Sequence, residues 1–187
     1  SIEIKNNIIT VDDKNSDANG QVAGAYFEGN SNLDLTFENN LFEEAGSDDG
    51  DINQAIRQTG SPVSSLNIIG NTIRTEGSIW VSADNGDVTT IIKRNEFTDA
   101  IGNTYAAVYI DNEGSGTVDA TITRNIFKSG ISSGVDFAGN LDVSGSDSVS
   151  ISNNNFKETS ITAVNADAVT GTLDATSNWW GDAAGPD

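Results

Sequence analysis

Seven stretches of the chain share one arrangement of apolar and polar positions. Two apolar or small residues are spaced by one, two residues follow, then an asparagine, one further residue and a large apolar side chain. The copies are Ile2-Ile4-Asn7-Ile9, Leu35-Phe37-Asn40-Phe42, Leu66-Ile68-Asn71-Ile73, Thr90-Ile92-Asn95-Phe97, Ala120-Ile122-Asn125-Phe127, Val149-Ile151-Asn154-Phe156 and Leu173-Ala175-Asn178-Trp180. The alternation before each asparagine has period two, which predicts a strand with one buried face. A second apolar alternation follows in most copies: Val22 to Phe27, Ile79 to Val81, Val108 to Ile110, Val135 to Phe137, and Ile161 to Val164. Each repeat therefore reads as a coil of two or three short strands joined by turns. The asparagines step by 33, 31, 24, 30, 29 and 24 residues. A single coil cannot bury its own apolar face, so neighbouring coils must stack around one core. At ~4.8 Å between strands, seven coils make a rod roughly 30 Å long.

A leucine-rich repeat shares the strand signature but asks for an apolar residue eight positions before each asparagine. Val63 meets that requirement, whereas Asn32, Asp87, Thr117, Ser146 and Thr170 do not. The segments between strands are rich in glycine and β-formers and vary in length, as in Gly134-Val135-Asp136-Phe137-Ala138-Gly139. That favours a parallel β-helix. The repeats resemble those of right-handed parallel β-helix proteins of the pectate-lyase-like superfamily. The ending Asn178-Trp179-Trp180-Gly181-Asp182-Ala183-Ala184-Gly185-Pro186 resembles the closing motif of secreted bacterial and archaeal members. The resemblance covers the full chain. It implies an all-β, single-stranded right-handed parallel β-helix (a β-solenoid) of about seven coils, forming one domain over residues 1–187. It implies no particular activity, because the fold hosts lyases, hydrolases, epimerases, adhesins and inert spacers.

Composition narrows the chemistry. The 187 residues suit one domain. There are 28 acidic and 9 basic residues, a formal charge of -19. Such a surface repels phosphate, which argues against nucleic acid and anionic membranes as partners. No stretch approaches ~18 consecutive apolar residues, so no membrane insertion is expected. Cys, His and Met are absent, which removes disulfides, imidazole chemistry and zinc sites built on Cys or His. Asparagine is the commonest turn-former, with 22 residues against 19 glycines, and it tolerates left-handed backbone angles. Aspartate outnumbers glutamate by 19 to 9 and only five lysines occur. This balance suits a protein of a high-salt organism, whose hydrated carboxylates maintain solubility.

Asn7, Asn40, Asn71, Asn95, Asn125, Asn154 and Asn178 are expected to form an internal ladder satisfying the turn backbone. Phe42, Phe97, Phe127, Phe156 and Trp180 are expected to form an aromatic and aliphatic stack beyond it. A repeat strand begins at residue 2 with no capping helix before it, and an open end invites association. The expectation is a piece of a larger exported protein, or stacking of neighbouring copies or domains on the ends.

Unequal loops carry the candidate sites. Two long excursions, Thr10 to Gln21 and Glu43 to Asp51, gather Asp12, Asp13, Asp17, Glu43, Glu44, Asp48, Asp49 and Asp51. Dense oxygen ligands suit Ca²⁺, and Asp13, Asn15 and Asp17 follow part of an EF-hand-type spacing. Ala18 and Gly24 break that pattern, and a solvated acidic patch is the competing reading. No cofactor is required. Elsewhere, with Ile79, Val81, Val108 and Ile110 inward, Trp80 and Tyr109 point outward. Beside Asp84, Asp111 and Asp136 they form a candidate platform for sugar rings. Arg94 and Arg124 precede ladder asparagines and fall on exposed turns. Within the superfamily, lyases use acidic Ca²⁺ ligands with an Arg or Lys base, and hydrolases use two or more acids. Acids are too abundant here to single out a pair, and no residue is nominated as catalytic. The expected function is an extracellular or cell-surface scaffold or adhesion module, self-assembling end to end in one version. A polysaccharide lyase, glycoside hydrolase, epimerase or sugar-binding module is the alternative.

Overall fold

The computed structural model describes residues 1–11, 21–28, 33–45, 52–59, 65–83, 86–98, 106–128, 131, 133–156 and 162–181. Among these residues there is no helix; the chain is all-β, with parallel sheets stacked as a β-solenoid. The first sheet orders β1 (Ile2–Lys5), β4 (Asp34–Glu38), β7 (Ser65–Ile69), β10 (Val88–Lys93), β13 (Val118–Thr123) and β17 (Ser148–Ser152). The second orders β2 (Ile8–Val11), β5 (Leu41–Glu44), β8 (Thr72–Arg74), β11 (Glu96–Phe97) and β14 (Ile126–Phe127). The third orders β3 (Gln21–Glu28), β6 (Ile52–Thr59), β9 (Gly77–Ser82), β12 (Ala106–Asn112), β15 (Ser133–Gly139) and β18 (Thr162–Asn165). A small fourth sheet pairs β16 (Leu141–Asp142) with β19 (Val169–Thr170). The two largest sheets have six strands each. The strand pairing of the last sequence repeat is limited to isolated bridges, Ser150 with Asp174 and Asn155 with Trp179. Strand pairing therefore does not establish seven coils.

Like residues stack on like. In the first sheet Ile4, Phe37, Ile68, Ile92, Ile122 and Ile151 form one register column. Ile2, Leu35, Leu66, Thr90, Ala120 and Val149 form the next. Thr90 keeps its place in that column because its buried hydroxyl donates to the Leu66 carbonyl at 3.1 Å. In the second sheet Ile9, Phe42, Ile73, Phe97 and Phe127 align. The rings of Phe97, Phe127, Phe156 and Trp180 stack nearly parallel, with centroids 4.9, 4.6 and 5.2 Å apart. Phe42 falls outside that ring stack, since Ile73 intervenes, and it tilts against Phe37 instead.

The corner between the first two sheets is made the same way each time. The residue before every ladder asparagine is left-handed: Asn6, Asn39, Gly70, Arg94, Arg124, Asn153 and Ser177 have φ between 56° and 68°. One such residue reverses the pleat and sends the chain into the second sheet.

Candidate functional site

The corner presents the ladder. Asn40 illustrates its rule: both the backbone N–H and the side-chain Nδ2 donate to Oδ1 of Asn71, at 2.8 and 3.0 Å. The same pair of bonds joins Asn7 to Asn40, Asn71 to Asn95, Asn95 to Asn125, Asn125 to Asn154 and Asn154 to Asn178. Each interior amide also donates to a carbonyl of the rung before it, as Asn125 Nδ2 does to Ile92 at 2.9 Å. The column has a polarity, with each Oδ1 from Asn40 to Asn178 accepting from the preceding rung. Among the described residues, Asn7 Oδ1 accepts no hydrogen bond. These side chains are committed to structure: Asn40, Asn71, Asn95, Asn125 and Asn154 are buried and unavailable to a ligand.

The outward face of the third sheet offers a different column. Register places Tyr26, Arg57, Trp80, Tyr109, Asp136 and Asn165 side by side, one per strand. Alternation puts them there, because Ala25, Ile56, Ile79, Val108, Val135 and Val164 align on the inward side. Trp80 and Tyr109 are thus neighbours, as their parity predicts. They meet edge-on, at 4.9 Å between centroids and 66° between planes, and both are half-buried. From the other neighbouring strand the Arg57 guanidinium lies 4.8 Å from the Trp80 centroid. Trp80 is therefore held between an arginine and a tyrosine edge, and the two rings do not form a coplanar platform.

Arg57 also lies over Tyr26, at 5.6 Å. Tyr26 is half exposed, and its hydroxyl accepts from Thr59 Oγ1 at 3.3 Å. An open pocket of about 430 Å³ adjoins this pair, lined by Val22, Ala23, Tyr26 and Arg57. Val22 shares Tyr26's outward parity, so the apolar run from Val22 to Phe27 does not face one way. Among the described residues no carboxylate pairs with Arg57, although Lys5 pairs with Glu38 and Glu3, and Lys128 with Glu96. Arg57 Nε and Trp80 Nε1 are buried without hydrogen-bond partners there.

Further along the column, burial pushes the Asp136 carboxyl above its ordinary value. A hydrogen bond from Asn165 and one from the Phe137 backbone oppose that rise, and nearby Asp167 reinforces it. Asp111 shares Tyr109's parity but is buried, with Ser82 and Ala138 as register neighbours. Asp147 is a second buried acid, and its role is structural. Its carboxylate accepts from the backbone N–H groups of Val118 and Asp142 at 2.8 and 2.7 Å.

The proposed calcium ligands Asp13, Asn15 and Asp17 lie outside the described residues, as do Asp12, Asp48, Asp49, Asp51 and Asp84. Glu43 and Glu44 belong to β5 rather than to a loop, with Thr10 and Val11 of β2 as partners. Among the described residues, no group of three acidic side chains is placed to hold a metal ion. Arg94 and Arg124 sit on exposed left-handed corners, as their positions before the ladder predict.

Sequence reasoning missed Tyr26 and Arg57. A usable signal existed: aligning Ile56 with Ile79 and Val108 puts Arg57 on the Trp80 row.

Comparison with protein-family models, curated proteins and solved structures found no match to this chain.

Proposed function

We propose that the chain is a non-catalytic, right-handed parallel β-helix module of about seven coils, serving as a rigid scaffold or adhesion element outside the cell. The observation that carries this reading is the uninterrupted asparagine column. Interior hydrogen-bonding capacity is spent on holding rung to rung, with the aromatic stack filling the space beside it. The ladder's polarity suits extension, because Asn7 Oδ1 is an acceptor of the kind the next rung always meets. A neighbouring copy stacked on that end would supply the matching N–H. The resemblance of the repeats to the pectate-lyase-like superfamily is compatible with such a role.

The test combines turnover with shape. Uronate polymers and neutral glycans are incubated with the protein, with and without Ca²⁺, and followed by ultraviolet absorbance of unsaturated products and by new reducing ends. No turnover is expected; product formation overturns the non-catalytic reading. Electron microscopy then reads assembly, and rods longer than one subunit indicate end-on stacking.

A further inference from the structure

We propose that the Tyr26–Arg57 pocket binds a small carboxylic acid: a monoanionic carboxylate carried on a compact ring. Three independent observations converge there. Among the described residues no carboxylate pairs with Arg57. Lys5 and Lys128 pair with glutamates, with nitrogen–oxygen distances of 2.6 to 3.2 Å. Arg57 instead lies against two rings, Tyr26 and Trp80. That packing holds the guanidinium in place and leaves its planar donor fork for a carboxylate.

The second observation is the space. The pocket's volume of about 430 Å³ falls within the range of small-ligand sites. Its lining combines one cation with apolar Val22 and Ala23 and the exposed ring of Tyr26. A ligand with an anionic head and a ring body meets both kinds of surface.

The third is the unmet donor capacity. Arg57 Nε and Trp80 Nε1 are buried without partners among the described residues. Buried donors ordinarily find acceptors; Arg57 lines the pocket and Trp80 adjoins it through Arg57. The chain's charge of -19 sets the ligand's valence. A dianion pays the long-range repulsion twice for the same local fork, so a monoanion is selected.

Isotope-labelled protein is titrated with sodium benzoate, sodium cyclohexanecarboxylate, neutral benzamide and sodium sulfate, observing the Arg57 Nε–H and Trp80 indole N–H resonances. Saturable shifts of both with the carboxylates are expected, together with at least about tenfold weaker binding of benzamide and sulfate. Benzoate binding tighter than cyclohexanecarboxylate points to flat stacking on Tyr26; similar affinities point to the carboxylate alone, and either result supports the site. In Arg57→Gln the Trp80 shift should be lost, and Arg57→Lys should weaken it by removing the fork while keeping the charge. No saturable shift with either carboxylate overturns the proposal. So does benzamide binding equal to benzoate, or a Trp80 shift that survives in Arg57→Gln. The wild-type titration decides even where a variant folds poorly.

Discussion

A β-carbon on Gly70 would lie 2.6 Å from the side-chain amide oxygen of Asn39, its neighbour at the adjoining corner. Gly70 is also left-handed, with φ of 68°. Two costs therefore add in Gly70→Ala, and a loss of ~1–3 kcal/mol in urea unfolding is expected. In an Asn39→Gly background the contact disappears while the backbone cost stays, so the same substitution should cost less. An unchanged stability in Gly70→Ala would mean that the corner is not built this way.

Asn125 lies in the middle of the ladder and Asn7 at one end. Removing the Asn125 amide strands the Asn95 N–H and the Ile92 carbonyl together and takes one of two donors from the Asn154 oxygen, which keeps the Asn125 backbone N–H. Asn125→Ala is expected to cost ~3–5 kcal/mol, from several buried groups left unpaired at once. Asn7 is exposed, and Asn7→Ala should cost about 1 kcal/mol or less. Chemical denaturation of the two variants side by side reads the difference, and equal losses would count against a cooperative column.

Arg124 holds a left-handed corner with an exposed side chain. Asparagine tolerates that conformation and valine does not. Arg124→Asn should leave the melting temperature unchanged or raise it slightly, whereas Arg124→Val should cost ~1–2 kcal/mol.

Asp136 gives the fold a pH signature. Its folded carboxyl is raised by burial above the ordinary 3.8, so the folded state holds the proton more tightly than the unfolded chain does. Stability from this group is fully present below 3.8 and is lost as pH rises through the higher folded value. Asp136→Asn should therefore melt higher than the parent at neutral pH, and the gain should vanish near about pH 3. A gain that persists in acid would assign the effect to packing instead.

Net charge makes the fold salt-dependent. The screening length falls from ~10 Å at 0.1 M to ~3 Å at 1 M salt, which relieves repulsion among charges summing to -19. Melting temperature should climb by about 5 °C or more from dilute buffer to multimolar KCl. A flat response counts against adaptation to high salt. A rise with millimolar Ca²⁺ alone would point instead to ligands such as Asp13, Asn15 and Asp17.

The first two sheets are legible in the sequence because the asparagine marks the corner, and the flanking alternation is apolar on one parity. Most of the third sheet is legible too, with β9, β12 and β15 carrying Ile79, Val108 and Val135. β6 is not. It puts Gln54 and Gln58 on the same side as Ile56, so a hydrophobic pattern breaks where a strand continues. Gln58 is tolerated inside because its oxygen accepts the Ser82 N–H at 3.1 Å, a partner that only the neighbouring rung reveals. Losing β6 hid Arg57 as well. With it went the reason that Trp80 is no open platform: one ring's surroundings depend on a residue 23 positions earlier, aligned by stacking.

Successive asparagines are separated by as many as 33 residues and as few as 24, yet the left-handed residue and the asparagine bonds at the corner repeat each time. The difference in length falls between one corner and the next, on the stretch of chain that includes the third-sheet strand. Residues inserted there lengthen one coil and leave the alignment of the coils above and below untouched. The molecule has a conservative spine and a permissive flank, and new recognition surfaces can be written on that flank without renegotiating the core.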